Sequence, residues 1–413
     1  MKRILYIAYH YPPQSGSSGL LRSLKFTRYL IEVGWKSIVL SVNPIAYERT
    51  EPSLLQEVPQ DISVIRSFAL DTRRHLSVKN RYMKWTALPD RWVSWTLSAV
   101  PRGLFTIATR SVDVILSTFP IATAVLIGLI LHRLTGKPWI VDLRDSMTED
   151  DYPRDTETRE VYRKIEALAI RHGSLFLFTA NSTIDMYLKR YSDLDARRCV
   201  LLPNGFDEED FRDLPAWTPN PAAPLRLLHA GLIYPEERDP RPFFAALARL
   251  KNEQEIGAQS IQISLRASGE EPYYRELLEA HGLTDIVHLL PPIPYHEVLR
   301  EGAVADALLL FQGVTCNHQI PAKAYEYFRL RRPILALTTH EGDTAALLRD
   351  VGGAIIANMY DCEEIYRCLL SFLAQLRRGD HPLPDPVKSN RYSRRNQAHE
   401  LGALLDGVVA PQK

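Results

Sequence analysis

At 413 residues, with 46% hydrophobic and 24% charged residues, the chain is long enough for two ordinary domains and too apolar to be disordered. Fifty Lys and Arg face 49 Asp and Glu, a formal charge of +1, so no global field points to nucleic acid, and any anion site must be local. The four cysteines, Cys199, Cys316, Cys362 and Cys368, include no close pair at zinc-knuckle or redox spacing, which predicts reduced thiols in a cytosolic protein.

Ile4 to Ala8 is too short for a signal h-region and runs into polar Tyr9, His10 and Tyr11, so it is expected to be a first strand. Ile121 to Leu131 falls well short of the ~20 residues that span a bilayer. Further strands are predicted at 37–42, 114–117, 139–142, 175–180 and 200–202. Between the first two, Leu20, Leu21, Leu24, Tyr29, Leu30 and Val33 suit one helix face, and Gly34 is placed to stop that helix. Pro203-Asn204-Gly205 signals a turn, and the four prolines from Pro215 to Pro224 read as an interdomain linker. A second alternation follows, with strands at 225–230, 261–267, 287–290, 307–311, 334–337 and 354–357, and a last helix over 389–405. Short apolar runs alternating with helical patterns predict an α/β chain of two Rossmann-like, doubly wound domains, over 1–205 and 206–385, with 386–413 crossing back. Ligands of such sheets lie beyond the carboxyl ends of the strands, and two facing sheets would share one cleft.

The loop after the first strand, Pro12-Pro13-Gln14-Ser15-Gly16-Ser17-Ser18-Gly19, opens directly into a helix. Glycine lets the backbone approach a ligand, and a helix N-terminus favours an anion. The loop matches neither a Walker A nor a dinucleotide fingerprint, so an anion cradle and a plain strand-to-helix turn both fit. Further on, Asp142, Leu143, Arg144 and Asp145 put three charges at the end of an apolar strand, where each needs a partner, a ligand or water. Asp142 with Arg144 suits a structural pair. Asp145, furthest into the loop, suits a substrate hydroxyl, as base or orienting acceptor.

In the second half, His229 to Arg238 leaves a strand through Gly231, and Arg238 is placed to neutralise a diphosphate leaving group or to pair with Glu236, Glu237 or Asp239. The densest signal is Asn317-His318-Gln319-Ile320-Pro321-Ala322-Lys323-Ala324-Tyr325-Glu326. Pro321 suits a first helical turn, and Lys323 and Glu326, three apart, share a face, either to hold phosphate and hydroxyls or as a surface ion pair.

With these segments in this order, the chain resembles family 4 of the retaining glycosyltransferases, which have the GT-B fold, over nearly its whole length. The pieces that carry the resemblance are Tyr11 to Pro13 with Gly16 to Gly19, Asp142 to Asp145, Leu202 to Asp207, the Gly231 loop and Ile320 to Tyr327. The resemblance implies that the glycine loop, Arg238 and Lys323 contact the diphosphate of a nucleotide-sugar donor and that Glu326 binds its ribose. It puts Gly16, Ser18, Gly19, Gly231, Tyr234, His318, Gln319 and Ile320 on the donor side, Arg144 on the acceptor side, and Asp145, Arg238 and Lys323 in catalysis. Two departures stand out. His318 occupies the place, eight residues before Glu326, where many members carry a second Glu, and Arg144 precedes Asp145 where many have His.

The implied reaction moves a sugar with retention to a sugar, lipid-linked or small-molecule acceptor, in polysaccharide or cell-envelope assembly. The leaving phosphate would take the acceptor proton. No metal cofactor is expected, because cations and a helix terminus serve that role. The one Asp-x-Asp, Asp193 to Asp195, sits among Arg190, Arg197 and Arg198 and reads as a solvated connection. Residues 81–102 cluster aromatic and basic side chains, with two readings: contact with a membrane surface or lipid-linked acceptor, or core packing of Trp92 and Trp95. A nucleotide-sugar 2-epimerase, and a GT-B scaffold that binds nucleotide without turnover, are the competing functions.

Overall fold

The computed structural model describes residues 1–16, 18–79 and 81–410. It divides into two compact units, one of 1–203 with the chain from Arg394 onward, the other of 204–393.

The first unit is built on seven parallel strands in the order β3-β2-β1-β4-β5-β6-β7. They are β1 (Lys2–Ile7), β2 (Trp35–Val42), β3 (Ser63–Ser67), β4 (Val114–Phe119), β5 (Trp139–Leu143), β6 (Leu175–Phe178) and β7 (Cys199–Leu201). Side chains alternate across a strand, so β1 feeds two cores. Leu5 and Ile7 join Ile38, Ile115 and Val141 on one face. Ile4 and Tyr6 join Val39, Leu116 and Ile140 on the other, closed by the helices Ser18–Tyr29 and Arg394–Val409. The apolar stretch near 121–131 is the helix Ala122–Thr135, buried against this sheet, and among the described residues no helix is long and apolar enough to cross a membrane.

The second unit has six parallel strands in the order β10-β9-β8-β11-β12-β13. They are β8 (Leu225–Ala230), β9 (Ile261–Arg266), β10 (Val287–Leu290), β11 (Ala307–Gln312), β12 (Ile334–Thr338) and β13 (Ala354–Ala357). Again the sheet has two covered faces, with Leu227, Ile263 and Leu309 on one and Leu228, Leu308 and Leu310 on the other. Such double burial explains why these strands read as continuous apolar runs. Strand order reverses between β1 and β4, and between β8 and β11, so each unit has a crevice position at those carboxyl ends.

Three features differ from the sequence expectation. Strand β3 was not expected, since its SVIRS sequence is half polar and only Ser67 is fully buried. The change of unit falls at Pro203 and Asn204, ahead of the proline tract. That tract, 215–224, is an irregular segment of the second unit, tied to it by Trp217 Nε1 donating to Asp306 Oδ1 at 2.8 Å. The last helix begins at Arg394, after a short separate helix, Pro386–Asn390, that stays with the second unit.

Candidate functional site

At the end of β8 the chain turns through Gly231, with φ +120°, and the helix Ala322–Leu330 brings Lys323 to it. A β-carbon on Gly231 would sit 2.7 Å from the Lys323 ammonium, so glycine here makes room for the lysine. The ammonium lies 3.4 Å from Nε2 of His229, a fully buried residue of β8. His229 Nδ1 is 2.9 Å from the Leu309 carbonyl of β11, and Nε2 is also 3.0 Å from the Gly231 carbonyl. Burial, then the lysine charge, hold the imidazole well below its usual pKa. A neutral ring carries one N–H, which either the Leu309 or the Gly231 carbonyl can accept; with the proton on Nδ1, Leu309 accepts it and the Nε2 lone pair is left for the ammonium. His229 thus ties Lys323 to the centre of the sheet.

Lys323 itself is half-buried, but the atoms packed round its ammonium desolvate it. That desolvation, with the charge of Arg238, lowers its pKa to about 7, against the opposing pull of Glu326. The loop after β8 folds back on itself: Arg238 N–H donates to the Tyr234 carbonyl at 2.7 Å, and its guanidinium lies over the Tyr234 ring at 5.5 Å. Asp239 is engaged by Arg241, at 2.6 Å. Arg238 gives one long hydrogen bond to the Leu232 carbonyl, 3.3 Å, and its Nε is buried without a hydrogen-bond partner. Glu326 accepts from Tyr295 Oη at 2.9 Å, so the helix Tyr295–Val304 fixes one carboxylate oxygen.

The segment before Lys323 is held by Gln312, at the end of β11. Its Nε2 donates to the carbonyls of Cys316 and Gln319, at 3.0 and 3.2 Å, while its Oε1 is buried without a partner. Gln319 Nε2 lies 3.5 Å from His318 Nε2, and Ile320 packs against the core. Gly231, Tyr234, Arg238, His318, Gln319, Ile320, Lys323 and Glu326 therefore all belong to the loops that leave β8 and β11 and to the helix that follows. His229 and Tyr295 had not been singled out for a role in the sequence.

Gly16, Gly19, Arg144 and Asp145 form the corresponding set in the first unit, at the ends of β1 and β5. Ser17 and the Ser18 side chain lie outside the described residues. The glycine loop is laced to the chain after β2: Ser15 N–H donates to the Arg49 carbonyl at 3.1 Å, and Glu51 N–H to the Pro13 carbonyl at 2.8 Å. A β-carbon on Gly19 would sit 1.9 Å from Arg144 Nη1, so this glycine admits the arginine. Arg144 Nε donates to the Phe119 carbonyl at 2.6 Å, and burial lowers its pKa despite Asp142 and Asp145 nearby. Asp142 pairs with Arg22 rather than with Arg144, through Nε at 3.1 Å and Nη2 at 2.9 Å, both residues fully buried. Arg22 reaches on to the carbonyls of Leu202 and Pro203 at 3.0 and 2.7 Å. Asp145 starts a loop fixed from below, where buried Glu166 accepts from Thr148, Tyr187 and Arg190, and Tyr187 Oη accepts from Met147 N–H at 3.0 Å.

Among the described residues no group of three or more His, Cys, Asp or Glu is placed to hold a metal ion. Asp195 of the Asp-x-Asp accepts three bonds from the Arg197 side chain, at 2.6 to 3.1 Å.

No protein-family model matches the sequence, and no curated protein matches it. Solved structures do resemble it. The Anabaena protein HepE, solved with UDP and glucose, has a TM-score of 0.64 at 16% identity, covering 98% of this chain and 100% of that one. Sucrose-phosphate synthase from Thermosynechococcus elongatus has a TM-score of 0.64 at 14% identity, covering 100% of both chains. A UDP-GlcNAc 2-epimerase from Methanocaldococcus jannaschii has a TM-score of 0.57 at 11% identity, covering 98% of this chain and 100% of that one. Identities this low speak to architecture alone, and together with the two doubly wound parallel sheets they show that the chain has the GT-B fold.

Proposed function

We propose that the chain is a metal-independent glycosyltransferase of the retaining family 4 type, moving a hexose from a nucleoside diphosphate sugar to an acceptor hydroxyl in polysaccharide or cell-envelope glycan assembly. The observation that carries this reading is the convergence of Lys323, Arg238 and Glu326 at the switch point of the second sheet: two cations and a carboxylate beside a glycine turn. A diphosphate there meets the Lys323 ammonium and the Arg238 guanidinium, which stabilise the charge that grows as the sugar–phosphate bond breaks. Glu326, oriented by Tyr295, accepts from ribose hydroxyls. Gly231, Tyr234, His318, Gln319 and Ile320 complete the donor side.

In the first unit, Gly16 and Ser18 serve the donor phosphates, Gly19 gives room to Arg144 on the acceptor side, and Asp145 orients the attacking hydroxyl. The acceptor oxygen bonds to the anomeric carbon, the diphosphate leaves with the bonding electrons, and the hydroxyl proton passes to it on the same face.

A thermal-shift series against UDP, GDP, ADP and TDP, with and without EDTA, tests the donor site, because a ligand of the folded state alone raises Tm. One nucleotide class raising Tm regardless of EDTA is the expected result. A rise abolished by EDTA overturns metal independence, and no rise with any nucleotide removes the donor site. Asp145→Asn is expected to lower turnover by about 10²-fold or more with nucleotide affinity unchanged; full activity takes Asp145 out of the mechanism.

A second reading, sugar-nucleotide 2-epimerisation, is favoured by the 2-epimerases among the similar structures. Conversion of UDP-GlcNAc to its 2-epimer without any acceptor would establish it in place of transfer.

A further inference from the structure

We infer that residues 68–105 of the first unit form a docking surface for an anionic lipid bilayer. Large apolar side chains crowd the outside of this segment: Phe68, Val78, Met83, Trp85, Leu97 and Phe105 are all exposed, Val78 by 75%, Trp85 by 70% and Leu97 by 81%. Scattered exposed hydrophobics are ordinary, but a concentration of them over so short a stretch is not.

Hydrogen bonds join the stretch into one layer. Ser98 Oγ donates to the Phe68 carbonyl at 2.5 Å, Ser94 Oγ to the Leu70 carbonyl at 3.1 Å, and Thr72 reaches the carbonyls of Arg91 and Thr86 at 2.8 and 2.5 Å. The helix Trp95–Thr109 buries Trp95, Ala99, Gly103 and Thr106 against the sheet. Its opposite face, Leu97, Pro101 and Phe105 at steps of four, is turned to solvent. Trp92 and Trp95 belong to the core side, and Trp85 to the outside.

The charge on this layer has one sign. Every exposed charged residue described between 68 and 105 is basic: Arg73, Arg74, Lys79, Arg81, Lys84 and Arg102. The two acids of the stretch are turned inward. Asp71 accepts from the N–H groups of Arg73 and Arg74, and Asp90 from Thr123. Outside acids approach some of these cations: Asp155 and Glu157 lie 3.8 and 3.5 Å from Lys84, and Glu48, which pairs with Arg91 at 2.7 Å, lies near Arg73 and Arg74.

Aliphatic side chains and a tryptophan amid arginines and lysines match a bilayer interface, where apolar groups enter the acyl boundary and cations meet anionic headgroups. A nucleic acid gives Leu97, Val78 and Phe105 nothing to bury against. A second copy docked face to face sets this basic layer against itself.

The test is flotation of the full chain with phosphatidylcholine vesicles, with and without phosphatidylglycerol. Binding only when phosphatidylglycerol is present is expected, with a loss of ~10-fold or more in both Met83→Ser/Trp85→Ser and Lys79→Glu/Arg81→Glu. Tm and the response to nucleotide are unchanged in both variants, which separates this surface from the donor site. Absence of flotation at low salt overturns the inference. So does full binding by the Met83/Trp85 variant, which leaves only a cationic patch, or lipid-independent self-association abolished by that same variant.

Discussion

In the first unit Gly19 stands against the guanidinium of Arg144; in the second, Gly231 stands against the ammonium of Lys323. Gly231 turns out of β8 and Gly19 lies in the first turn of the helix Ser18–Tyr29; each makes room for a cation, yet the cations are treated differently. Arg144 is stitched to the Phe119 carbonyl, next to the bidentate Arg22–Asp142 pair, and stays charged whatever the surroundings. Lys323 is held by a neutral histidine and a glycine turn, and its charge is in the balance near neutral pH. A fixed charge shapes a loop. An adjustable one responds to what binds.

The sharpest way to break this contrast is to attack the fixed side. Asp142→Ala strands Arg22 in the core and is expected to cost the first unit about 3–5 kcal/mol, read as a shifted urea midpoint; Arg22→Met in the same chain recovers most of it. A single substitution that leaves the midpoint unmoved would show that the pair is not structural. Lys323→Ala should do the reverse, weakening nucleotide binding by about 1–3 kcal/mol with stability unchanged or raised, since it removes a desolvated amine. Calorimetric titration and unfolding on the same sample separate the two effects.

A pH series sharpens the comparison further. A diphosphate selects the charged ammonium, so nucleotide affinity is expected to fall several-fold from pH 7 to pH 9, as Lys323 loses its proton above about 7. His229 stays neutral throughout, and an arginine keeps its charge across this range, so Lys323→Arg should flatten the profile. In the free protein the same depressed value makes the unfolded chain hold a proton that the folded one lacks between about 7 and about 10.4, so stability rises with pH across that window. The smallest effect is Tyr295→Phe. Losing its bond to Glu326 should cost nucleotide affinity about 0.5–1.5 kcal/mol and leave 2′-deoxynucleotide binding less affected.

The strands that face helices on both sides were legible because double burial leaves an apolar run, as in Val114–Phe119 or Ala307–Gln312. The edge strand β3 was not, because Ser63, Arg66 and Ser67 break the run and residues 43–110 hold no strong periodicity. The same holds at the site. Lys323 and Glu326 share a helix face and announce each other by spacing. His229 looks like one polar residue in an apolar strand until the fold sets Lys323 beside it. Likewise Gly19 suggested a ligand approach, and only tertiary structure puts the Arg144 side chain in front of it.

The crossings near Pro203 and Arg394 carry a consequence for engineering. In the second unit the two ends meet, with Phe206 N–H donating to the Tyr392 carbonyl at 3.1 Å. In the first, the Pro203 carbonyl accepts from Gln397 Nε2 at 3.0 Å, so the points of exit and return are also neighbours. Residues 204–393 are therefore an insert with paired ends, a cassette that can be excised and the gap bridged by a few residues, or exchanged for another sheet of the same kind while the first unit keeps its own core.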